Sequence, residues 1–494
     1  MEVKRFCGFL FFTTKSSLNF YFIFTMGSYI VVTFKYYRSK SVKRDTWGSK
    51  VGFIFAVAGS AVGLANIWRF PFLVGQNGGA AFIILYIVSL LLIGFPVFIA
   101  ELLIGRSTET NPSGAFQKLG KSKYWGTAGK LTIITGFIVS SFYSAVAGWL
   151  LGYLVEALRG NISNFTSTEH AVSHYNNLMS HPLWGLSFHL IFISLCVAVL
   201  YLGVRKGIER GNKVMMPILF IVLTLLVING LMMPNAGLAL TFLFSPDFSL
   251  ITPSAVLIAL GQAFFTLSIG QGTLVTYGSY LGKKDNLVTT SLPIILMDTV
   301  VSILSAIAVF TIVFSIGMEP DSGPGLIFHT LPWAFSQLPI GYILAVLFFL
   351  LVTLAALTSE ISALEPAVAY FIDEHGWKRS KAVLVCGFSA FLLGVPSALS
   401  YSVLKDYTLF GMTFLDLMDF LSSTILIPVG GFLAVVLVGW VWGKKSALKA
   451  LRDGASEMFN RFPIIEKYFW MSFKYGAPIL IMFVFFNAIG LFNA

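Results

Sequence analysis

Eleven long apolar runs, separated by short stretches of charge and turn residues, constrain this chain more than any single motif. They lie near residues 51–73, 79–104, 131–157, 184–203, 214–233, 254–281, 288–317, 339–372, 380–397, 407–443 and 472–492. A helix needs roughly 20 apolar residues to cross a hydrocarbon core, and it must satisfy its own backbone hydrogen bonds while there. Strand-like alternation is absent, which argues against an outer-membrane barrel. The expected fold class is therefore all-α, a polytopic membrane bundle of eleven transmembrane helices. Only 11% of the 494 residues are charged, against about 25% in a soluble domain.

The net charge of +11 would suggest nucleic acid in a soluble protein, but here the basic residues sit in alternate short loops. One set holds Arg106, Lys118, Lys121, Lys123 and Lys130, then Arg205 to Lys213, Lys283/Lys284, Lys378 to Lys381, and the stretch from Lys444 to Lys474. The other set holds little beyond Arg159 and Lys405. The positive-inside rule makes the first set cytoplasmic, together with Lys43/Arg44 and hence the N-terminus. Nucleic-acid binding is not expected. Residues 1–40 carry an apolar stretch interrupted by Lys15 and lack a clear small-residue cleavage site, so they read as a peripheral N-terminal extension. Cys7, Cys196 and Cys386 have no metal or disulfide spacing and read as small hydrophobes.

Two of the runs are not plain. Residues 59–72, GSAVGLANIWRFPF, place Gly59, Gly63, Asn66, Arg69 and Pro71 inside the first. Gly59 and Gly63 alone are a close-packing pair. Asn66 and Arg69 point further, because a charged group within the membrane normally faces a cavity or a partner. The sixth run contains GQAFFTLSIGQGTLVTYGSY, residues 261–280, with Thr266, Ser268, Gly270, Gln271 and Gly272 at its centre. If the first ten spans are two halves of five, these interruptions occupy corresponding places, and paired Gly-interrupted helices point to a transporter's midplane site. Unwinding frees backbone N–H groups for a carboxylate and carbonyls for a cation.

Other intramembrane polar groups are candidates of unequal weight. Asp298 in the seventh run is either a cation ligand or a proton carrier. Thr358 and Ser359, adjacent in the eighth, are either ligands or hydroxyls bonded back to their own helix. Glu101, near the basic end of the second run, fits a structural hydrogen-bonding role at least as well. Asp416 and Asp419, early in the tenth, offer Arg69 a counter-charge. No HExxH motif, paired carboxylates or Ser/His constellation falls within the spans, so an enzyme is not expected.

GSAVGLANIWRFPF followed by NGGAAFIILY, with GQAFFTLSIGQG, ALTS and LDLMDF, resembles the neurotransmitter:sodium symporter family, in its bacterial amino-acid transporter branch. The resemblance runs from about Arg44 to the end of the chain. It implies sodium-driven amino-acid import by alternating access across a bacterial inner membrane. The implied organisation is a single transporter domain over 41–494: repeat one at about 48–235, inverted repeat two at about 252–443, and an extra helix at 472–492. Helices 1 and 6 are implied to be unwound.

Position by position, the resemblance implies a first sodium site at Ala61, Asn66, Thr266 and Asp298, and a second at Gly59, Val62, Ala355, Thr358 and Ser359. Both are all-oxygen sets, as a hard cation requires. The implied substrate pocket is Ser60, Ala61, Gly63, Leu64, Ala65, Val139, Tyr143, Phe265, Thr266, Ser268, Gln271, Ser359 and Ala363. Arg69 with Asp419 would form the outer gate. Arg44 with Asp373 would form the inner one, beside Trp47.

Three positions refine these implications. Gly63 stands where monoamine carriers have an aspartate, which favours an amino acid. Asp298 stands where animal members have an asparagine and need chloride. Two sodium ions without chloride are therefore expected, although Tyr86, Gln262, Thr266 and Ser302 retain most of the frame of a halide site. Gln271 and the small Ala363 suggest a wider pocket, for a hydrophobic or aromatic amino acid. The expected partners are that substrate and the lipid bilayer, with no obligate protein partner implied. A sodium- or proton-coupled carrier of another solute, such as an osmolyte, is the alternative.

Overall fold

The computed structural model describes residues 3–6, 9–12, 45–317 and 324–491. Two compact units are present, Met1–Lys43 and Arg44–Ala494. In the first, Val3–Phe6 pairs antiparallel with Phe9–Phe12. The second is helical.

Nine of its described helices are long and apolar enough to cross a membrane. The bundle opens with a broken pair, α1 (Lys50–Ala61) and α2 (Ala65–Gln76), bent by 53° and together long enough for a tenth span. There follow α3 (Ala80–Thr108), α4 (Lys123–Leu158), α5 (Pro182–Tyr201) and α6 (Val204–Leu231). The sixth expected run becomes two short helices, α7 (Pro253–Thr266) and α8 (Thr273–Gly278). At 14 residues, α7 reaches about 21 Å and cannot cross alone. The rest are α9 (Leu287–Ser315), α10 (Gly341–His375), α11 (Arg379–Ala398), α12 (Phe414–Val441) and α13 (Pro463–Asn487).

Several boundaries differ from the sequence expectation for local reasons. Ser122 caps α4, accepting a hydrogen bond from Tyr124 N, so that helix begins at Lys123 and not near 131. The tenth span begins at Phe414, not 407, because Phe410 and Gly411 have positive φ and Leu409 bridges Met412. Pro463, preset for a first helical turn, starts the last span well before 472. The basic stretch before it is itself partly helical, at Lys444–Arg452 and Ser456–Arg461. Cys196 and Cys386 are buried and free, as small hydrophobes would be; Cys7 lies outside the described residues.

The two breaks have different chemistry. At the first, Val62 turns extended (φ −74°, ψ 101°) and the Asn66 side chain caps the bend, its Oδ1 accepting from Gly63 N at 2.9 Å. At the second, Ser268, Gly270 and Gly272 all have positive φ. Gly270 cannot carry a side chain, since a Cβ there would lie 2.1 Å from the Ile427 carbonyl oxygen. Glu101 of α3 holds this segment: its Oε1 accepts from Gly270 N at 2.7 Å. The structural role read for Glu101 in the sequence is the one its geometry gives.

Candidate functional site

The breaks meet each other. Ser268 donates to the Ser60 carbonyl at 2.8 Å and Gln262 Nε2 to the Ala65 carbonyl at 3.0 Å. The second interrupted helix thus satisfies part of the backbone that the first exposes, which lets non-helical chain persist inside a bundle.

Around the junction lie two clusters of oxygen atoms. In the first, the Asn66 amide nitrogen has Asp298 Oδ1 at 2.7 Å, Thr266 Oγ1 at 2.8 Å and Ser302 Oγ at 2.9 Å. Thr266 also donates to Asp298 Oδ1 at 2.8 Å, and Tyr86 to Oδ2 at 3.0 Å. An amide nitrogen has two protons for these three oxygens, so Asn66 cannot bond all of them at once. Asn66, Asp298 and Ser302 are 0% exposed; the side-chain oxygens of Asp298, Thr266 and Ser302 suit a dehydrated hard cation, and Asn66 joins them as a ligand only with its amide turned over, since its nitrogen faces them and its Oδ1 is on Gly63 N.

In the second cluster, Ser359 Oγ of α10 lies 3.3 Å from the Gly59 carbonyl, 3.2 Å from Ser60 and 3.3 Å from Val62. One hydroxyl proton cannot serve three carbonyls. Thr358 Oγ1 bonds back to its own helix, at 3.0 Å from the Ala355 carbonyl.

Ser359 of the second cluster also lines a small cavity of about 40 Å³. Twelve of the thirteen residues expected to form the pocket line it: Ser60, Ala61, Gly63, Leu64, Ala65, Val139, Tyr143, Phe265, Ser268, Gln271, Ser359 and Ala363. Thr266 does not, because its hydroxyl is turned to Asp298. Ser362 and Ile427 line the cavity without having been anticipated. Helical spacing could have found Ser362, one turn beyond Ser359 on α10. Gly63 is tightly enclosed, since a Cβ there would lie 2.5 Å from Ser359 Oγ and 3.2 Å from the Tyr143 hydroxyl. The volume accommodates a few waters, so a solute the size of an amino acid requires the walls to separate.

A larger cavity of about 320 Å³ adjoins it, sharing Leu64, Ala65, Tyr143 and Phe265. Arg69, Asp416 and Asp419 line this larger cavity. The expected Arg69–Asp419 ion pair is not formed within 4.0 Å among the described residues. The Arg69 guanidinium lies instead over the Phe265 ring, 4.6 Å from its centroid.

At the opposite end, Arg44 of the expected inner pair lies outside the described residues. Its expected partner Asp373 accepts from Asn111 N at 2.8 Å. An ion pair the sequence reading missed lies at this end: Arg379 reaches Glu365 with bonds of 2.9 and 2.7 Å and Asp45 at 3.4 Å. Tyr280 also donates to Glu365 at 2.7 Å. Trp47 donates to the Tyr277 carbonyl at 3.1 Å and packs edge-on against Phe53, Tyr277 and Tyr280. The available signal was Glu365 itself, an acidic residue near the basic end of the eighth run.

A sequence model of the sodium:neurotransmitter symporter family matches residues 44–182 and 179–494. The chain is 38% identical over 448 residues to an uncharacterized sodium-dependent transporter, YhdH, of Bacillus subtilis, covering 90% of this chain and 98% of that protein. It is 34% identical over 456 residues to an uncharacterized sodium-dependent transporter of Haemophilus influenzae, with the same coverage of 90% and 98%. Among solved structures, the crystal structure of MhsT in complex with L-phenylalanine superposes with a TM-score of 0.82 at 39% identity, covering 90% of this chain and all of that one.

Proposed function

The chain belongs to the sodium:neurotransmitter symporter family, so it is a multi-pass, sodium-coupled membrane transporter and not an enzyme; on that premise we propose that it imports amino acids, hydrophobic or aromatic ones, without chloride. The observation that carries this reading is the pair of oxygen clusters beside one small cavity where two broken helices meet.

Two sodium ions are proposed as co-substrates. Asn66, Thr266, Asp298 and the Ala61 carbonyl would hold the first, with the amino acid's carboxylate completing its shell. The carbonyls of Gly59, Val62 and Ala355 and the hydroxyls of Thr358 and Ser359 would hold the second. The shared carboxylate makes coupling strict, because neither the first ion nor the substrate has a complete site alone. Asp298 supplies the negative charge for which other members need chloride. The absence of a side chain at Gly63 leaves the carboxylate its place near the Tyr143 hydroxyl. MhsT is a relative crystallised with L-phenylalanine, which is consistent with an amino acid at the corresponding position here.

The cycle proposed is alternating access. Phe265 would close over the substrate, Arg69 would leave the ring to meet Asp419, and the Arg379–Glu365 closure would then open. The two five-helix halves opening on α1/α2 and α7/α8 are proposed as inverted repeats that rock against each other. The basic loops favour a cytoplasmic N-terminus in a bacterial inner membrane. Two charges crossing about 100 mV supply roughly 4.6 kcal/mol, enough for about a thousandfold accumulation.

Radiolabelled uptake into proteoliposomes tests the reading, with each common amino acid competing under an inward sodium gradient. Sodium-dependent, chloride-indifferent uptake of at least one is expected. Sodium-driven uptake of an osmolyte with none of any amino acid would overturn the substrate assignment.

A further inference from the structure

Far from the central cavity, the ends of α12 and α13 on the side of the basic loops are built around two lysines. Trp440 stands at the end of α12 with Lys444 four residues on, and Trp470 and Lys474 repeat that spacing on α13. The two pairs cross. Lys444 Nζ lies 5.7 Å from the Trp470 ring centre, while Lys474 Nζ lies 5.7 Å from that of Trp440 and 5.1 Å from that of Tyr475. Trp440 Nε1 also donates to the Lys474 carbonyl at 2.9 Å. Among the described residues neither lysine forms an ion pair within 4.0 Å. Glu466, within electrostatic reach of Lys444, is bonded by Arg452 at 2.9 and 2.6 Å.

Two further features meet there. The helix Lys444–Arg452 starts from Gly443 with no side-chain cap, so the free N–H groups of its first turn add positive charge beside Lys444. Towards the middle of the membrane, α12 and α13 border an apolar groove of about 270 Å³, lined by Phe432, Pro478, Ile479, Met482, Phe483 and Phe486. Pro478 and Met482 lie one and two turns beyond Lys474 on α13, and Phe432 lies two turns before Trp440 on α12. The groove therefore continues the line of the lysines. Aromatic rings hold the two ammonium groups at the level where such rings sit in a membrane surface. Basic residues near a membrane, or an apolar face turned to lipid, are ordinary when each occurs alone. A cationic mouth leading into an apolar slot fits a molecule with an anionic head and a hydrocarbon tail.

We propose that the ends of α12 and α13 bind one anionic phospholipid, its phosphodiester between Lys444 and Lys474 and an acyl chain along the groove. Charge selects the head, because a zwitterionic lipid would bring an ammonium of its own against the two lysines. The chain holds the molecule in place, which separates this site from the loose attraction of a basic loop to a charged surface. The proposal is independent of the substrate and sodium sites.

The test is saturable binding of radiolabelled dioleoyl-phosphatidylglycerol to the purified full-length protein in detergent. Unlabelled phosphatidylglycerol is expected to displace it, whereas dioleoyl-phosphatidylcholine and inorganic phosphate are not, since the site needs both charge and chain. Lys444→Gln/Lys474→Gln is expected to weaken binding about tenfold or more through loss of two charges beside an anionic head. Ile479→Trp, which fills the groove and leaves both lysines, should weaken it comparably. Lys121→Gln/Lys123→Gln removes two exposed lysines of another basic loop and should leave it unchanged. An equal loss in Lys121→Gln/Lys123→Gln overturns the proposal in favour of general positive charge. Displacement by phosphatidylcholine or inorganic phosphate, or wild-type affinity in either site variant, overturns it too.

A second measurement needs no variant to fold. Trp440 is 59% exposed, so phosphatidylglycerol carrying bromine on its chains should quench tryptophan fluorescence of the wild-type protein at low lipid-to-protein ratios where brominated phosphatidylcholine does not. Equal quenching by the two lipids at every ratio overturns the proposal.

Discussion

The Asn66 amide nitrogen stands 2.7 Å from Asp298 Oδ1, so the residue that caps the break in the first span is also tied to the carboxylate of α9. Any ion drawn to that carboxylate acts directly on the unwound backbone beside the cavity. Two hydrogen bonds thus connect the Asp298 carboxylate to the backbone that lines the cavity.

Asp298→Asn keeps the shape of this network but removes its charge. Uptake is expected to become chloride-responsive or to stop, whereas the wild-type protein should transport equally in chloride and gluconate. Unchanged, chloride-indifferent uptake by the variant would remove Asp298 from the ion mechanism.

Thr358→Ala with Ser359→Ala deletes both hydroxyls of the second cluster. Each bond from such a group to a charged partner is worth about 1.5–3 kcal/mol, so the sodium concentration for half-maximal uptake should rise more than tenfold. A wild-type sodium titration in the double variant would mean that the cluster holds no ion.

Gly63→Ala introduces a methyl group 2.5 Å from Ser359 Oγ and 3.2 Å from the Tyr143 hydroxyl. Substrate binding, measured by equilibrium displacement in sodium, should fall by a factor of ten or more while the protein remains monodisperse. Wild-type affinity would show that the substrate lies elsewhere.

Arg379→Gln leaves Glu365 buried beside Tyr280 without its counter-charge. Breaking one half of a buried pair costs about 3–5 kcal/mol, so the melting temperature in detergent should drop by several degrees. Adding Glu365→Gln to Arg379→Gln should recover most of that drop. If the double variant is no more stable than Arg379→Gln, an unpaired Glu365 charge is not what destabilises that variant.

Hydropathy alone determined that this chain is a bundle of membrane helices, because a backbone in lipid must bond internally and only sustained apolar runs permit that. The glycine, asparagine and serine positions that break that rule in the first and sixth runs were equally legible, since unwound chain in a membrane needs such residues. Resemblance named twelve residues that the fold brings to one cavity, from runs far apart in the sequence. What only tertiary structure decided is which partner each polar group takes. Thr266 turns from the cavity to Asp298, Arg69 lies over Phe265 and not against Asp419, and Arg379 pairs with Glu365 from the preceding helix. Charge and spacing make each of these groups a candidate for several partners, and the choice depends on which helix faces lie within about 3 Å of one another, a quantity that exists only once the bundle has packed.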